Sequence, residues 1–432
     1  MLKKLKNIIC NVDHFFYKKF GSDKSTKFLE NIKEVQEIFA ILNAQGEGTK
    51  VRFVGGCVRK SFNGENIDDI DLATSLTPSE VKKAFNEKGI RVIETGIDHG
   101  TLTAILNKKK FEITTLRKDL ITDGRHATVK FTSDWESDAS RRDFTINAIY
   151  ADIEGRIFDP YNGLADLKKG KIKFIGLPEE RIQEDYLRIL RYFRFFTQYS
   201  KIDHEQDTLK SIKKYINGLN KVSNERIFDE LKKILKLENI NYLFSQKSSR
   251  EVILNIFPQL KYFRRLIEVN NFHTKIKKRY DMTLILAILI IDESNNYEYF
   301  CHKYKTSNSI KINLKNISKN YENLKNKKFY SKKNVKKMIY FSSKKEVTDL
   351  LLFSLSLKTK IETSVIENLI HYISSCKIPK FPISGDYLKE RGYIDGVNLG
   401  KKLKSLEEEW IQNNFFIDLN QLNNSLSKNS KN

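Results

Sequence analysis

Phe53-Val-Gly-Gly-Cys-Val-Arg59, followed shortly by Asp68-Asp-Ile-Asp-Leu72, is the stretch whose reading decides the fold. A β-branched run ends in two glycines, and an arginine follows three residues later. Glycine lets backbone N–H groups approach a phosphate closely, and Arg59 adds charge in a forked geometry. Alone, such a pair is usually no more than a tight turn. If the acidic run is a strand, Asp69 and Asp71 point to one face. Two carboxylates side by side repel unless a cation lies between them, and hard oxygen ligands suit Mg²⁺. A strand Asp-x-Asp can hold the metals of a phosphoryl-transfer site, although an isolated one is more often a solvated acidic turn.

Upstream, residues 28–43 place Leu29, Ile32, Val35, Ile38 and Phe39 at helical spacing, which predicts an amphipathic lead-in helix. Downstream, Arg91–Glu94, Leu102–Ile105 and Phe111–Thr114 read as short strands, joining Val51–Val54 and Asp69–Leu72. Between them Pro78–Glu87 reads as a helix with Thr77 as its cap. To about residue 155 the chain is therefore a compact α/β domain. Beyond it the strand signals fade and Pro178 opens a long helical pattern. The tail from about Asn423 is polar and is expected to be disordered.

Two further patches carry chemistry. Arg141-Arg-Asp-Phe-Thr-Ile-Asn147 sets Arg142, Asp143 and Asn147 around apolar residues, which suits triphosphate and ribose recognition or, equally, a charged helix start capped by Asp143. In the run Pro178–Arg194, Ile182, Ile189, Leu190 and Phe193 form one helix face. Asp185 and Arg188, three apart, are expected side by side, with Arg191 and Arg194 continuing at the same step. Such a pair offers the acceptors and donors needed to read a base edge, or is an ordinary ion pair.

The formal charge is +23; 34 Lys and Arg stand against 29 Asp and Glu in residues 1–200, and 43 against 25 in residues 201–432. The excess lies in the second half and attracts polyanions, RNA first among them, unless it is only compositional bias. Cys10, Cys57, Cys301 and Cys376 are too scattered for a zinc site and fit a reducing compartment. The start has no apolar run of the roughly 7–15 residues a secretory signal needs. The longest apolar run, Leu284–Ile291, is far below the roughly 18 residues of a membrane span. A cytoplasmic protein, not membrane-bound, is expected.

In order and spacing the four patches resemble the class II nucleotidyltransferases, the family of CCA-adding tRNA enzymes and bacterial poly(A) polymerases. GGCVR, DIDLAT, RRDFTINA and EDYLR are similar to its glycine, metal, ribose and base-selecting motifs, and FEITTLR (Phe111–Arg117), DGRH (Asp123–His126) and SNERIFDEL (Ser223–Leu231) also match. The region covered is roughly 51–231, with weaker likeness at Phe381–Gly385 and Gly396–Trp410. The resemblance implies an α+β head of the polymerase-β-like nucleotidyltransferase type, followed by an all-α neck, body and tail. The divisions expected are 1–155 for the head, 156–240 for the neck, 241–422 for body and tail, and 423–432 for the polar end.

The resemblance also implies template-independent addition of CMP, CMP and AMP, from CTP and ATP, to the 3′ end of tRNA. It makes Asp69 and Asp71 the Mg²⁺ ligands, with Glu112 either a third catalytic carboxylate or, equally, an outward-facing strand residue. Gly56, Arg59, Arg142, Asp143 and Asn147 would bind triphosphate and ribose, and Asp185, Arg188, Arg191 and Arg194 would select the base. The stretch Lys305–Lys337 has eleven lysines and one acid, Glu322. Lys327, Lys328, Lys332, Lys333, Lys336 and Lys337 are accordingly expected to track tRNA phosphates. The family usually has Asp where this chain has Lys60, so altered salt bridging is expected there. Poly(A) polymerases tend to read EDPVRMLR where this chain reads EDYLRILR, which favours CCA addition over poly(A) synthesis. An enzyme adding only A or only CC, or a non-catalytic RNA-binding relative, are the other readings.

Overall fold

The computed structural model describes residues 32–122, 127–270, 280–357, 361–420 and 422. Two compact units meet in sequence at Ile256 and Phe257. The first unit is built on a seven-stranded mixed sheet of order β3-β4-β5-β2-β1-β8-β9. Its strands are β1 (Val51–Val54), β2 (Asp71–Thr74), β3 (Arg91–Gly96), β4 (Thr101–Leu106), β5 (Lys109–Thr115), β8 (Tyr150–Ala151) and β9 (Ile157–Phe158). β6 (Arg117–Thr122) and β7 (Ala127–Phe131) pair separately as a two-stranded antiparallel ribbon. β2 and β5 are parallel, with Asp71 opposite Glu112, whereas β1 is antiparallel to both β2 and β8.

Alternation buries Val51 and Phe53 of β1 with Leu72 of β2 and Ile113 of β5. The helices Lys33–Asn43 and Pro78–Asn86 cover that face through Val35, Ile38, Phe39, Val81 and Phe85. The lead-in helix thus presents the predicted face, though Leu29 lies outside the described residues, as do Asp123–His126 and the polar end. Thr77 closes a full capping box with Glu80 ahead of Pro78.

Two expectations need correction. β2 begins at Asp71, so Asp69 stands in the connection before it; ladder partners exist only from Asp71 onward. The helical pattern from Pro178 is also broken. One helix spans Pro178–Glu184, Asp185 turns extended (φ −153°, ψ 105°), and a second runs Arg188–Tyr199. Behind the second helix His204 accepts or donates to the Tyr192 hydroxyl (2.9 Å) and the Ser249 hydroxyl (2.7 Å), stacked on Phe196.

The second unit is helical among its described residues. Its Met282–Ile290 helix carries most of the apolar run, burying Leu284 and Leu286–Ile290. No described helix is long and apolar enough to cross a membrane.

Candidate active site

β1 stops at Val54 because Gly55 takes φ +65°, and the helix Gly56–Asn63 starts immediately. A Cβ on Gly55 would lie 3.5 Å from the Arg142 guanidinium, and one on Gly56 would lie 3.8 Å from the Asp71 carboxylate. The glycine pair therefore sits where the acidic and basic parts of the site converge. A cavity of about 740 Å³ opens there, lined by both glycines, Arg59, Asp71, Asp185 and seven further arginines.

Asp71 is half-buried. Burial pushes its carboxyl above the usual range, and Glu112 and Asp69 push further, against the pull of Arg142 and Arg59. Among the described residues no hydrogen bond or ion pair ends on the Asp71 or Asp69 carboxylate. Nor do three acidic, histidine or cysteine groups converge to cage a metal by themselves. This donor set fits Mg²⁺, which is commonly held by one or two carboxylates with substrate phosphates and water completing its shell. The same-face argument for Asp69 does not hold through strand geometry. What associates it with Asp71 is the charge it places there. Glu112 is exposed, beside Asp71 in register, and does not line the cavity.

The basic wall is a lattice rather than a set of loose side chains. Arg59 donates to the Asn147 amide oxygen, Asn147 Nδ2 donates to Asp143 Oδ1 (2.7 Å), and Arg191 pairs with Asp143 Oδ2 (2.6 Å). Burial alone would raise the Asp143 carboxyl, but Arg191, Asn147 and Arg188 hold it well below the carboxylate range. Asp143 is thus not a helix cap: the turn Thr145–Asn147 that follows it starts from Phe144 without a side-chain cap, and the upstream helix Trp135–Ser140 is capped by Asp134, which accepts from Glu136 and Ser137. Arg142 and Arg141 both pair with Asp138, at 3.1 and 2.7 Å. Tyr150 donates its hydroxyl to Asp138 at 2.7 Å. Burial raises the Asp138 carboxyl, yet the two arginines bring it down to about 2.

The break after Glu184 separates the expected base-reading pair. Asp185 Oδ1 accepts the Leu187 N–H (3.1 Å), and Asp185 Oδ2 pairs with Arg226 (2.8 Å). Arg188 instead pairs with Glu184 and donates to the Arg181 carbonyl (2.9 Å). Both still line the cavity, but they are not ion-paired with each other. Arg194 pairs with Glu230, which is buried. The guanidiniums of Arg59, Arg191 and Arg194 all lie over the Phe195 ring, at 4.8, 5.6 and 4.0 Å.

Sequence reasoning missed Asp138, Arg226, Glu184 and Glu230 as organisers. Asp138 was findable, since it precedes Arg141 and Arg142 by three and four residues, one helical turn. Arg226 and Glu230 lie in a matched motif but meet the site only through the tertiary fold. Of the lysines, Lys327 and Lys328 sit in the short turn Lys327–Phe329, and Lys332, Lys333, Lys336 and Lys337 on the helix Lys332–Phe341. Lys336 is half-buried, 4.6 Å from the Phe415 ring centre, and the other five are exposed.

A strand carboxylate, Asp71, beside a glycine turn on a mixed sheet, with Asp69 just before the strand and arginines from the following helices lining the same cavity, defines the class: a nucleotidyltransferase. Residues 51–173 match the model of the Poly A polymerase head domain, and residues 203–263 that of the probable RNA- and SrmB-binding site of polymerase A. The mitochondrial CCA tRNA nucleotidyltransferase 1 of Mus musculus is 35% identical over 422 residues, covering 93% of this chain and 91% of the relative. The CCA-adding enzyme of Staphylococcus epidermidis is 32% identical over 76% of this chain and 79% of its own length. The chain belongs to the CCA tRNA nucleotidyltransferase family. The fold agrees with the Bacillus stearothermophilus CCA-adding enzyme in complex with CTP, at a TM-score of 0.69 and 21% identity over 92% of this chain and 97% of the other.

Proposed function

We propose that this chain adds CMP, CMP and AMP to the 3′ end of tRNA, consuming CTP and ATP and releasing pyrophosphate. The observation that carries the reading is the cavity itself, whose lining brings Asp71 and the Gly55–Gly56 turn together with Asp185 and Arg188. Likeness over most of the chain to proteins named CCA tRNA nucleotidyltransferase and CCA-adding enzyme supports the choice of tRNA.

In this reading the backbone at Gly56, with Arg59 and Arg142, cradles the triphosphate, and Asn147 and Asp143 orient the ribose. Asp69 and Asp71 hold Mg²⁺, and Glu112 adds negative charge beside them. Bound there, the metal lowers the barrier to in-line attack of the RNA 3′-hydroxyl by neutralising charge on the reacting oxygens. Asp185 and Arg188 face the base edge, with Arg191 and Arg194 behind them as fixed positive charge. The six lysines of Lys327–Lys337 contact tRNA phosphates.

The head is taken to end near residue 155 and the neck near 240, with body and tail to 422. Three described cysteines, Cys57, Cys301 and Cys376, are free and buried, which supports a reducing compartment; a cytoplasmic location is part of the proposal.

The test offers labelled CTP and ATP with tRNAs ending before C, CC and CCA. Two CMP and one AMP, then arrest, is expected on a tRNA lacking CCA. Long AMP runs without CMP would replace the reading by poly(A) synthesis, and no incorporation would leave an RNA-binding relative.

A further inference from the structure

Residues Gly64–Ile70 link the Arg59-bearing helix to β2 and carry Asp69, yet they belong to no helix or strand. A carboxylate on such a segment has a defined position only if the segment is tied down. Two ties are present. At one end the Glu65 N–H donates to the Lys60 carbonyl (2.9 Å), and Lys60 Nζ pairs with Asp68 (3.0 Å). Lys60 stands where the resembled family motif has Asp.

The second tie crosses to the helix Arg188–Tyr199. Glu65 Oε1 accepts from Asn63 Nδ2 (2.7 Å), while Oε2 accepts from Gln198 Nε2 (3.2 Å) and the Tyr199 hydroxyl (3.4 Å). The Arg59 guanidinium lies 5.1 Å from the centre of that same Tyr199 ring. One carboxylate thus joins the acidic segment to the helix that presents Arg188, Arg191 and Arg194.

We propose that Glu65 is a positioning residue that holds the Asp69 segment against the Arg188–Tyr199 helix, and that the Lys60–Asp68 pair steadies the same segment from its other side. The inference rests on the nucleotidyltransferase reading of Asp69 and Asp71. Glu65 itself does not line the cavity. What it fixes is where the Asp69 carboxylate stands relative to Asp71, and hence how well the two hold a divalent cation.

The full chain is compared with Glu65→Ala, Glu65→Gln, Lys60→Asp and the swap Lys60→Asp with Asp68→Lys. Mn²⁺ affinity is read without nucleotide from the paramagnetic resonance signal of the free ion. Separately, kcat and KM for CTP are measured on a tRNA primer. Glu65→Ala is expected to bind Mn²⁺ about tenfold more weakly, the scale of a lost hydrogen-bonded anchor, and to lose kcat with KM for CTP unchanged. Glu65→Gln keeps an oxygen acceptor for Tyr199 and Gln198 and should recover most of the loss. Lys60→Asp places two like charges together and should weaken Mn²⁺ binding, with the swap restoring it.

Unchanged Mn²⁺ affinity in Glu65→Ala, or equal damage in Glu65→Gln, would overturn the proposal. A rise in KM for CTP matching the fall in kcat would also overturn it, by placing Glu65 on the nucleotide. A wild-type chain that binds Mn²⁺ but adds no nucleotide would instead sink the reading of the function.

Discussion

Replacing Asp138 with Asn should be the most informative single change in the basic wall. The carboxylate is buried and accepts from Arg141 Nε (2.8 Å), Arg142 Nη2 (3.1 Å), the Tyr150 hydroxyl (2.7 Å) and the Arg117 backbone N–H (3.3 Å). An amide of the same shape keeps one acceptor but turns a donor toward the arginines. Removing one member of a buried ion pair costs about 3–5 kcal/mol. Arg141 and Arg142 keep 16% and 18% exposure and so retain some solvation, which argues for the lower end, about 3 kcal/mol. The carboxyl is held near 2 against an ordinary value of 3.8 by the same two arginines, a stabilisation of about 2 kcal/mol.

The sign follows from that depression. The stabilisation is fully present above the unfolded value and is lost as pH falls toward 2. Urea unfolding at pH 7 should therefore show a deficit of about 3 kcal/mol, constant down to roughly pH 5 and shrinking only below it. Because Arg142 loses its anchor, kcat/KM for CTP should fall as well. A deficit under about 1 kcal/mol at pH 7 would refute the view that Asp138 organises the wall.

Asp71→Asn should abolish nucleotide addition, yet leave the metal-free melting temperature equal or higher. A carboxyl whose folded value is raised costs stability once ionised, and Asn removes that charge from beside Glu112 and Asp69; a clear drop in melting temperature would contradict this. Asp185→Ala should relax discrimination against UTP and GTP, seen as kcat/KM ratios for all four nucleotides on one primer. Arg226, its ion-pair partner, should when changed to Gln shift the same ratios, and unchanged ratios in both would place base reading elsewhere. Changing Lys328, Lys332, Lys333 and Lys337 to Glu should weaken tRNA binding and flatten its dependence on salt, since each phosphate contact releases counterions. An unaltered salt slope would make these lysines a solvated face.

The head was legible because its signals are local. Short β-branched runs broken by Gly, Asn or Lys clusters located β1, β3, β4 and β5 to within two residues, and Thr77-Pro78 marked a helix start that the capping box bears out. β8 and β9, two residues each, are too short for any period to register, and they owe their existence to pairing with β1 and with each other. The site residues came from motifs, whereas the contacts that orient them did not. Helical periodicity runs straight through Asp185, so nothing in the residue pattern marks the break that sends its carboxylate to Arg226. That pairing spans 41 residues and becomes visible only when the helices are packed.

The three guanidiniums over Phe195 have a consequence for the timing of an entropic cost. A free arginine carries about 2 kcal/mol of rotamer entropy, which a flexible binding site would lose each time a ligand arrives. Here Asn147 and Tyr199 restrain Arg59, Asp143 restrains Arg191, and Glu230 restrains Arg194, all against one aromatic ring. That ordering is completed once, when the chain folds, and is not repeated at each encounter with an anion. The wall can therefore meet successive ligands of different shape with the same frozen set of rotamers.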